Sequence, residues 1–144
     1  MIFKASAADA RAATELALEL WPDNDPYELC ADFEQLLARN DCAIFLCFVD
    51  GIAAGFAQCQ LRSDYVEGTD SSPVGYLEGI YVRKNHRGRG HARAMLSECE
   101  SWARAQGCTE FASDCELDNE TSLRFHLKVG FIEANRIICF TKSI

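Results

Sequence analysis

The chain has 144 residues, a length typical of one domain, of which 49% are hydrophobic and 25% charged. No stretch approaches the ~20 uninterrupted apolar residues of a membrane span, and charged residues among the first twenty exclude a secretory signal. The net charge of −8 argues against nucleic acid or an anionic membrane as the main partner. We therefore predict one soluble, cytoplasmic domain over residues 1–144, of the α/β or α+β class.

The first half of the chain is predicted to hold a strand, two helices and then three strands, over residues 1–5, 8–20, 26–39, 43–49, 52–62 and 74–82. Apolar residues recur at helical spacing in the first helix, and Pro26 suits the start of the second. The run from Ala43 to Val49 is apolar throughout, which indicates a buried strand, and Asp50-Gly51 signals a hairpin after it.

The second half is predicted to hold an amphipathic helix, a buried strand, a second helix and one bent or two short strands, over residues 90–106, 108–115, 119–128 and 131–141. Asp118 or Asn119 would cap the second of these helices. A strand, a helix and a strand in succession from Val74 to Cys115 imply two parallel strands joined by a right-handed crossover.

The eight cysteines predict neither disulfides nor a metal site. They contain no C-x-x-C pair, and no histidine stands at ligand spacing from any of them. Most lie in apolar runs, where a free thiol behaves as a small hydrophobe. We therefore predict reduced, structural thiols and no bound metal.

The charge is unevenly distributed along the chain. Five basic residues and no acid lie between Gly79 and Ser97. Removing these five from the 14 basic residues leaves 9 against 22 acids, a net charge of −13, in the remainder. This asymmetry suggests an anionic ligand at the basic stretch and a cationic ligand elsewhere, unless the acids serve solubility alone.

Residues 83–93, called the cationic loop below, join a predicted strand to a predicted helix. Gly88 and Gly90 let the backbone turn tightly, and the helix start presents unpaired N–H groups at the positive end of its dipole. Such a junction suits a phosphate, to which Arg87, Arg89 and Arg93 would add charge-assisted hydrogen bonds. It carries neither a dinucleotide fingerprint nor a triphosphate-binding motif, and the alternative is a solvated basic turn.

Two motifs resemble those of the GCN5-related N-acetyltransferase (GNAT) family. Arg87-x-x-Gly90-x-Ala92 is similar to the family's pyrophosphate loop. Asn119-x-x-Ser122 followed by His126-x-Lys128-x-Gly130-Phe131 is similar to its second signature, with His126 where tyrosine is usual. The resemblance implies an acetyl-CoA-dependent N-acetyltransferase. Its sheet would be mixed and mostly antiparallel, with a splayed parallel strand pair and flanking helices.

The resemblance also implies where acetyl-CoA binds. The splayed strands would be Val74–Val82 and Cys108–Cys115, with the pantetheine arm in the gap between them. A backbone N–H near Ile80 would polarise the thioester carbonyl. The residues expected to contact acetyl-CoA are Ile80, Tyr81, Val82, Arg87, Gly88, Arg89, Gly90, His91, Ala92, Arg93 and Asn119.

Two side chains are expected to take part in the chemistry. Glu78, two residues before Ile80, would bind the ammonium form of the acceptor amine and relay its proton through water, unless it is only a solvent-facing carboxylate. His126 would protonate the departing thiolate in place of the usual tyrosine. The alternative is that His126 packs within its helix and solvent protonates the thiolate.

One subgroup, the aminoglycoside 6′-N-acetyltransferases, resembles the chain from Trp21 to the C-terminal FTK. It implies acetyl transfer to the 6′-amino group of an aminoglycoside, a polycation that suits the acidic charge. It also implies a homodimer with RIICFTKSI as an interface strand. The acceptor would contact Trp21, Tyr65, Glu78 and Asp114, with Glu133 or Asn135 completing the pocket.

Each acceptor residue also has a plainer interpretation. Trp21 would plug the core between two helices, Tyr65 would anchor a loop, and Asp114 would cap a strand end. Two other functions stay open as well. One keeps the fold but acetylates a polyamine or a protein amine, and the other is an acyl-CoA-binding module without catalysis.

Overall fold

The structure, a computed structural model, describes residues 1–144. Its strands are β1 (Ile2–Lys4), β2 (Cys42–Val49), β3 (Ile52–Arg62), β4 (Val74–Val82) and β5 (Phe111–Ser113). Its α-helices are α1 (Ala10–Leu20), α2 (Pro26–Leu37), α3 (His91–Ala105) and α4 (Glu120–Val129). Short 3₁₀ turns precede α1 and α3, and none of the helices has the length and apolar character needed to span a membrane.

The five strands form one sheet in the order β1–β2–β3–β4–β5. Neighbouring strands are antiparallel except β4 and β5, which run parallel and are connected through α3. The predicted mixed, mostly antiparallel sheet with one parallel pair is confirmed.

The apolar run of β2 reflects burial on both faces of the sheet. Phe45 and Cys47 join the core cluster that includes α3, whereas Ile44 and Leu46 join the cluster that includes α1 and α2. A strand covered on both faces has no polar positions to alternate with. The sheet therefore lies between α1 and α2 on one face and α3 on the other.

β4 contains a bulge at Glu78. Gln58 of β3 pairs with Gly79 and Cys59 pairs with Leu77, so Glu78 has no partner on β3. The extra residue reverses the alternation of side chains along the strand. A Cβ added at Gly75, before the bulge, would point at Ala103 of α3. A Cβ added at Gly79, after the bulge, would point at Trp21 at the end of α1.

Two predicted strands differ from the structure. β5 has three half-buried residues instead of the predicted buried strand over 108–115, because Cys108 donates its N–H to Ala103 to close the end of α3. The strand predicted within 131–141 is wrong. Residues 131–144, the C-terminal segment, form no strand and are mostly exposed, since the short β5 offers little edge for pairing within one chain.

All eight cysteines are free, and five of them are buried as expected for structural thiols: Cys42, Cys47, Cys59, Cys99 and Cys108. Cys139 is exposed, so the expectation drawn from its apolar run is wrong. No group of three or more His, Cys, Asp and Glu side chains is placed to hold a metal ion.

Candidate functional site

β4 and β5 separate after a short stretch of pairing. Their partners are Gly75 with Phe111, Tyr76 with Ala112, and Leu77 with Ser113. β5 then ends, whereas β4 continues to Val82. Over residues 78–82 the edge of β4 that faces away from β3 therefore has no strand beside it, and its backbone groups are available to a ligand. The predicted splayed strand pair is confirmed.

The cationic loop follows this free edge directly. Gly88 and Gly90 have φ angles of 75° and 83°, in the left-handed region, and Gly90 is the N-cap residue of α3. A Cβ at either glycine would meet no atom within 4 Å, so the surface of the loop is open. No side chain caps the first turn of α3. An open helix N-terminus preceded by left-handed glycines fits a pyrophosphate.

The loop keeps most of its positive charge uncompensated. Only Arg83 makes an ion pair, 2.8 Å from Glu19. Arg87 donates from Nε to the carbonyl oxygen of Val82 at 2.8 Å, and Arg93 donates from Nη2 to that of Lys128 at 3.1 Å. Because neither acceptor is a carboxylate, the N-terminus of α3 remains electropositive, as an anionic ligand requires.

The other residues expected to contact acetyl-CoA lie along the same path. Ile80, Tyr81 and Val82 form the free part of β4, and His91 and Ala92 begin α3. The Nε2 atom of His91 is buried without a hydrogen-bond partner.

Asn119, one of the two residues predicted to cap this helix, is the N-cap residue of α4. Its Oδ1 accepts the backbone N–H of Ser122 at 3.1 Å. This bond uses one of the two acceptor positions of the oxygen, and the side-chain NH₂ group has no hydrogen-bond partner within the chain. Contact of Asn119 with acetyl-CoA stays a prediction.

A cavity of about 1090 Å³ lies beside β5. It is bounded by the loop after β3, by residues 110–117, by α4 and by the C-terminal segment. The predicted site residues that it brings together are Tyr65, Asp114, His126, Glu133 and Asn135. Trp21 and Glu78 do not line its wall.

Glu78 lies behind Arg62, which does line the cavity. Arg62 donates from Nη2 to both carboxylate oxygens at 2.8 and 3.0 Å, and from Nε to Oε1 at 3.1 Å. Its guanidinium carbon lies 3.4 Å from the centroid of the Tyr76 ring. Sequence reasoning missed Arg62, although a signal existed: it is the only basic residue between Arg39 and Arg83, in an otherwise acidic stretch.

Asp114 follows β5 and accepts a hydrogen bond from the hydroxyl of Tyr76. Burial raises the pKa of Tyr76, and the neighbouring Asp114 carboxylate raises it further. The phenol therefore stays protonated at neutral pH and acts as the donor. Asp114 thus has a specific partner on the cavity wall in addition to its place at the strand end.

Both ring nitrogens of His126 are engaged. Nδ1 lies 2.7 Å from the carbonyl oxygen of Ser122, which can only accept, so we assign a proton to Nδ1. Nε2 lies 2.8 Å from Oγ of Ser113 and accepts the hydroxyl proton in the neutral ring. Ser113 was missed by sequence reasoning, since only the strand register shows that it stands where β5 leaves β4.

The two aromatic residues expected to contact the acceptor have different surroundings. Tyr65 is 83% exposed on the cavity wall, and its hydroxyl bonds to Glu67, which lowers the pKa of that carboxyl. Trp21 is half-buried and meets Phe56 edge-on at 5.8 Å. A Cβ at Gly79 would lie 2.7 Å from the Trp21 ring. The indole of Trp21 packs on the sheet, as its plainer interpretation as a core residue expects, and its contact with the acceptor stays a prediction.

Comparisons with known proteins agree with this geometry. The sequence profile of the acetyltransferase (GNAT) family matches residues 9–131. An aminoglycoside N(6′)-acetyltransferase type 1 of Stenotrophomonas maltophilia is 45% identical over 141 residues, covering 96% of this chain and 90% of the relative. Its counterpart in Acinetobacter haemolyticus is 40% identical, covering 97% and 96%.

A solved structure is similar along the whole chain. It is AAC(6′)-Iy in complex with a bisubstrate analogue, CoA-S-monomethyl-acetylneamine, with a TM-score of 0.96 and 36% identity. The match covers 100% of this chain and 98% of that one. The chain belongs to the GNAT family of acetyltransferases. It is an acetyl-CoA-dependent acetyltransferase, which confirms the predicted class of enzyme and its acetyl donor.

Gly90 tests the contribution of the cationic loop to donor binding. Gly90→Ala forces a side chain into a left-handed conformation, a strain of about 1–3 kcal/mol that the loop can relieve only by moving. We expect the KM for acetyl-CoA to rise about tenfold or more, with little change in the KM for the amine, in steady-state assays of CoA release.

Gly51 provides the matched control, because its φ is 78°, no atom lies within 4 Å of an added Cβ, and it stands in the β2–β3 turn. Gly51→Ala should lower the melting temperature similarly while leaving the KM for acetyl-CoA unchanged. Equal increases in that KM for both variants would show that backbone strain acts through overall stability instead of through the loop.

Proposed function

We propose that this chain transfers the acetyl group of acetyl-CoA to the 6′-amino group of an aminoglycoside. The observation that carries the proposal is the placement of a cavity with acidic walls beside the point where β4 separates from β5, while the cationic loop follows the other end of β4. An anionic donor and a polycationic acceptor would meet there. The similarity to aminoglycoside N(6′)-acetyltransferases over 96% of the chain supports the choice of acceptor.

The reaction requires a free amine, a polarised thioester and two proton movements. The amine nitrogen attacks the thioester carbon, the C–S bond breaks, and the sulfur leaves with the electron pair and takes a proton. A backbone N–H on the free edge of β4 near Ile80 would donate to the carbonyl oxygen. The proton lost by the amine passes to water or to a nearby carboxylate.

Glu78 is the carboxylate that we assign to the amine. It stands at the bulge of β4, one residue beyond the last pair with β5. A carboxylate accepts about four hydrogen bonds, and Arg62 supplies three of them. One acceptor position therefore remains, enough to hold an ammonium group or the water that relays its proton.

The acceptor is tested by following CoA release from acetyl-CoA with kanamycin, spermidine and a lysine peptide in parallel. Kanamycin is expected to be turned over with the highest kcat/KM, and an analogue with a hydroxyl at the 6′ position should not be acetylated there. Preference for spermidine or the peptide would refute the aminoglycoside proposal. Tight acetyl-CoA binding without turnover of any amine would identify a binding module instead.

We assign protonation of the thiolate to His126 acting through Ser113. In the imidazolium form, Nε2–H donates to Oγ of Ser113. The Ser113 hydroxyl, which lies 3.3 Å from the carbonyl oxygen of Leu77, would turn from that carbonyl to pass its proton to the sulfur. Direct donation by His126 is disfavoured because both ring nitrogens are engaged, Nε2 by Ser113 and Nδ1 by Ser122.

Substitution of either member of the pair tests this relay. His126→Asn and Ser113→Ala should each lower kcat by about tenfold or more, and the double variant should be no slower than either one. Rates are measured by CoA release at saturating acetyl-CoA and acceptor. Wild-type kcat in Ser113→Ala would assign the proton to solvent.

We further propose that the chain acts as a homodimer joined by the C-terminal segment. Its apolar side chains Ile132, Ile138 and Phe140 are 90, 79 and 91% exposed, and the segment pairs with no strand. An exposed apolar stretch of this kind marks an interaction site. A second copy is the partner that the resemblance to the aminoglycoside subgroup supports.

Sedimentation equilibrium tests the dimer. The wild type is expected to sediment as a dimer and the variant Ile138→Asp/Phe140→Asp as a monomer, because charge at the interface opposes its burial. Ile52→Asp, at a residue that is 58% exposed on β3, is the control and should stay dimeric. A monomeric wild type at micromolar concentration is the contrary result.

The proposed compartment is the cytoplasm. Eight free cysteines suit a reducing environment, in which buried thiols persist without pairing. We treat residues 1–144 as one acetyltransferase domain, because both core clusters share the single sheet.

A further inference from the structure

The position of the Glu78 carboxylate depends on Arg62. Glu78 is the unpaired residue of the bulge in β4, so pairing with β3 does not restrain it. Arg62 donates three hydrogen bonds to its two oxygens, and no other side chain donates to it. The two side chains are 37% and 21% exposed, so the pair is partly shielded from solvent, and Arg62 is the member that lines the cavity.

The guanidinium of Arg62 is fixed from a second side. It stacks on Tyr76, whose ring is 7% exposed and whose hydroxyl bonds to Asp114. A planar cation held between an aromatic face and a carboxylate has few other orientations. A continuous row of contacts therefore connects two of the acids assigned to the acceptor, Glu78 and Asp114, through Arg62 and Tyr76.

Charge alone does not account for Arg62. A guanidinium on the wall of a cavity for a polycation does not attract the acceptor, since like charges repel and pairing with Glu78 only reduces that repulsion. Its contribution must then lie in the rate and not in the affinity. A glutamate without a partner samples several rotamers, and loses conformational freedom only when something holds it.

We propose that Arg62 is a positioning residue for acetyl transfer, holding Glu78 so that its remaining acceptor position faces the amine or its relay water. The inference rests on the role of Glu78 in the proposed function. A displacement of about 1 Å in a catalytic arrangement can cost about 100-fold in rate. Arg62 would therefore affect kcat as strongly as many groups that touch the substrate.

A double-mutant cycle with kanamycin tests the inference. Arg62→Met is expected to lower kcat about 10- to 100-fold without raising the KM for kanamycin, because a cation leaves the cavity wall. The variant Arg62→Met/Glu78→Gln should be no more than about twofold slower than Glu78→Gln, since Arg62 acts through Glu78. Arg62→Lys keeps the positive charge but lacks the paired guanidinium N–H donors that hold the carboxylate, and should recover part of kcat.

Two controls separate positioning from folding. Arg39 also donates from two guanidinium nitrogens to one carboxylate, that of Asp41, at 2.9 and 2.8 Å. Neither residue lines the cavity, so Arg39→Met should keep the wild-type kcat. The KM for acetyl-CoA should be unchanged in Arg62→Met. A rise in that KM matching the loss of kcat would indicate general disruption and overturn the inference.

The remaining outcomes distinguish this inference from the proposed function. Wild-type kcat in Arg62→Met, or losses that multiply in the double variant, would overturn it. A lower KM for kanamycin with unchanged kcat would identify Arg62 as a competing cation and overturn it too. Unchanged kcat in Glu78→Gln would remove Glu78 from catalysis, whereas a loss confined to Glu78→Gln leaves the proposed function intact and rejects only the role of Arg62.

Discussion

β4 and β5 stay paired for only three residues, and the rest of the site depends on that short contact. Had β5 continued beside β4 to Val82, ladder hydrogen bonds would have closed the edge that a pantetheine arm can use. Its early end also places Ser113 and Asp114 beside the cavity. The bulge at Glu78 falls one residue beyond the last pair between β4 and β5. The side chains of β4 therefore exchange faces of the sheet at the point where the two strands separate.

Opposite charges are kept on different parts of this arrangement. The cationic loop follows the far end of β4, and the acids of the cavity surround the near end. Two cations lie within the acidic part, and each is paired with a carboxylate: Arg62 with Glu78, and Arg136 with Glu133. Local pairing of this kind lets a site keep a rigid cation without presenting its full charge to a cationic ligand.

Features encoded by local pattern were predictable from the sequence. β3 and β4 have the predicted limits, since apolar runs and the turn at Asp50-Gly51 define them, and Asn119 caps α4 as its residue type favours. Features set by partners across the sheet were not. The bulge at Glu78 and its bonds to Arg62 depend on register, which no single strand encodes. The strand predicted after Phe131 is absent for the same reason, because a run of apolar residues forms a strand only where another strand is available to pair with it.

The C-terminal segment serves two surfaces at once. Residues 132–137 wall the acceptor cavity, where Asn135 bonds to Glu67, and the exposed apolar side chains continue to Ile144. In the proposed dimer, any change that association makes in the acceptor affinity through this segment is matched by an equal change that acceptor binding makes in the dimer affinity. Apparent acceptor affinity then varies with enzyme concentration near the dimer dissociation constant. The abundance of the protein in a cell would thereby affect not only how much acetylation occurs, but also the acceptor concentration at which it begins.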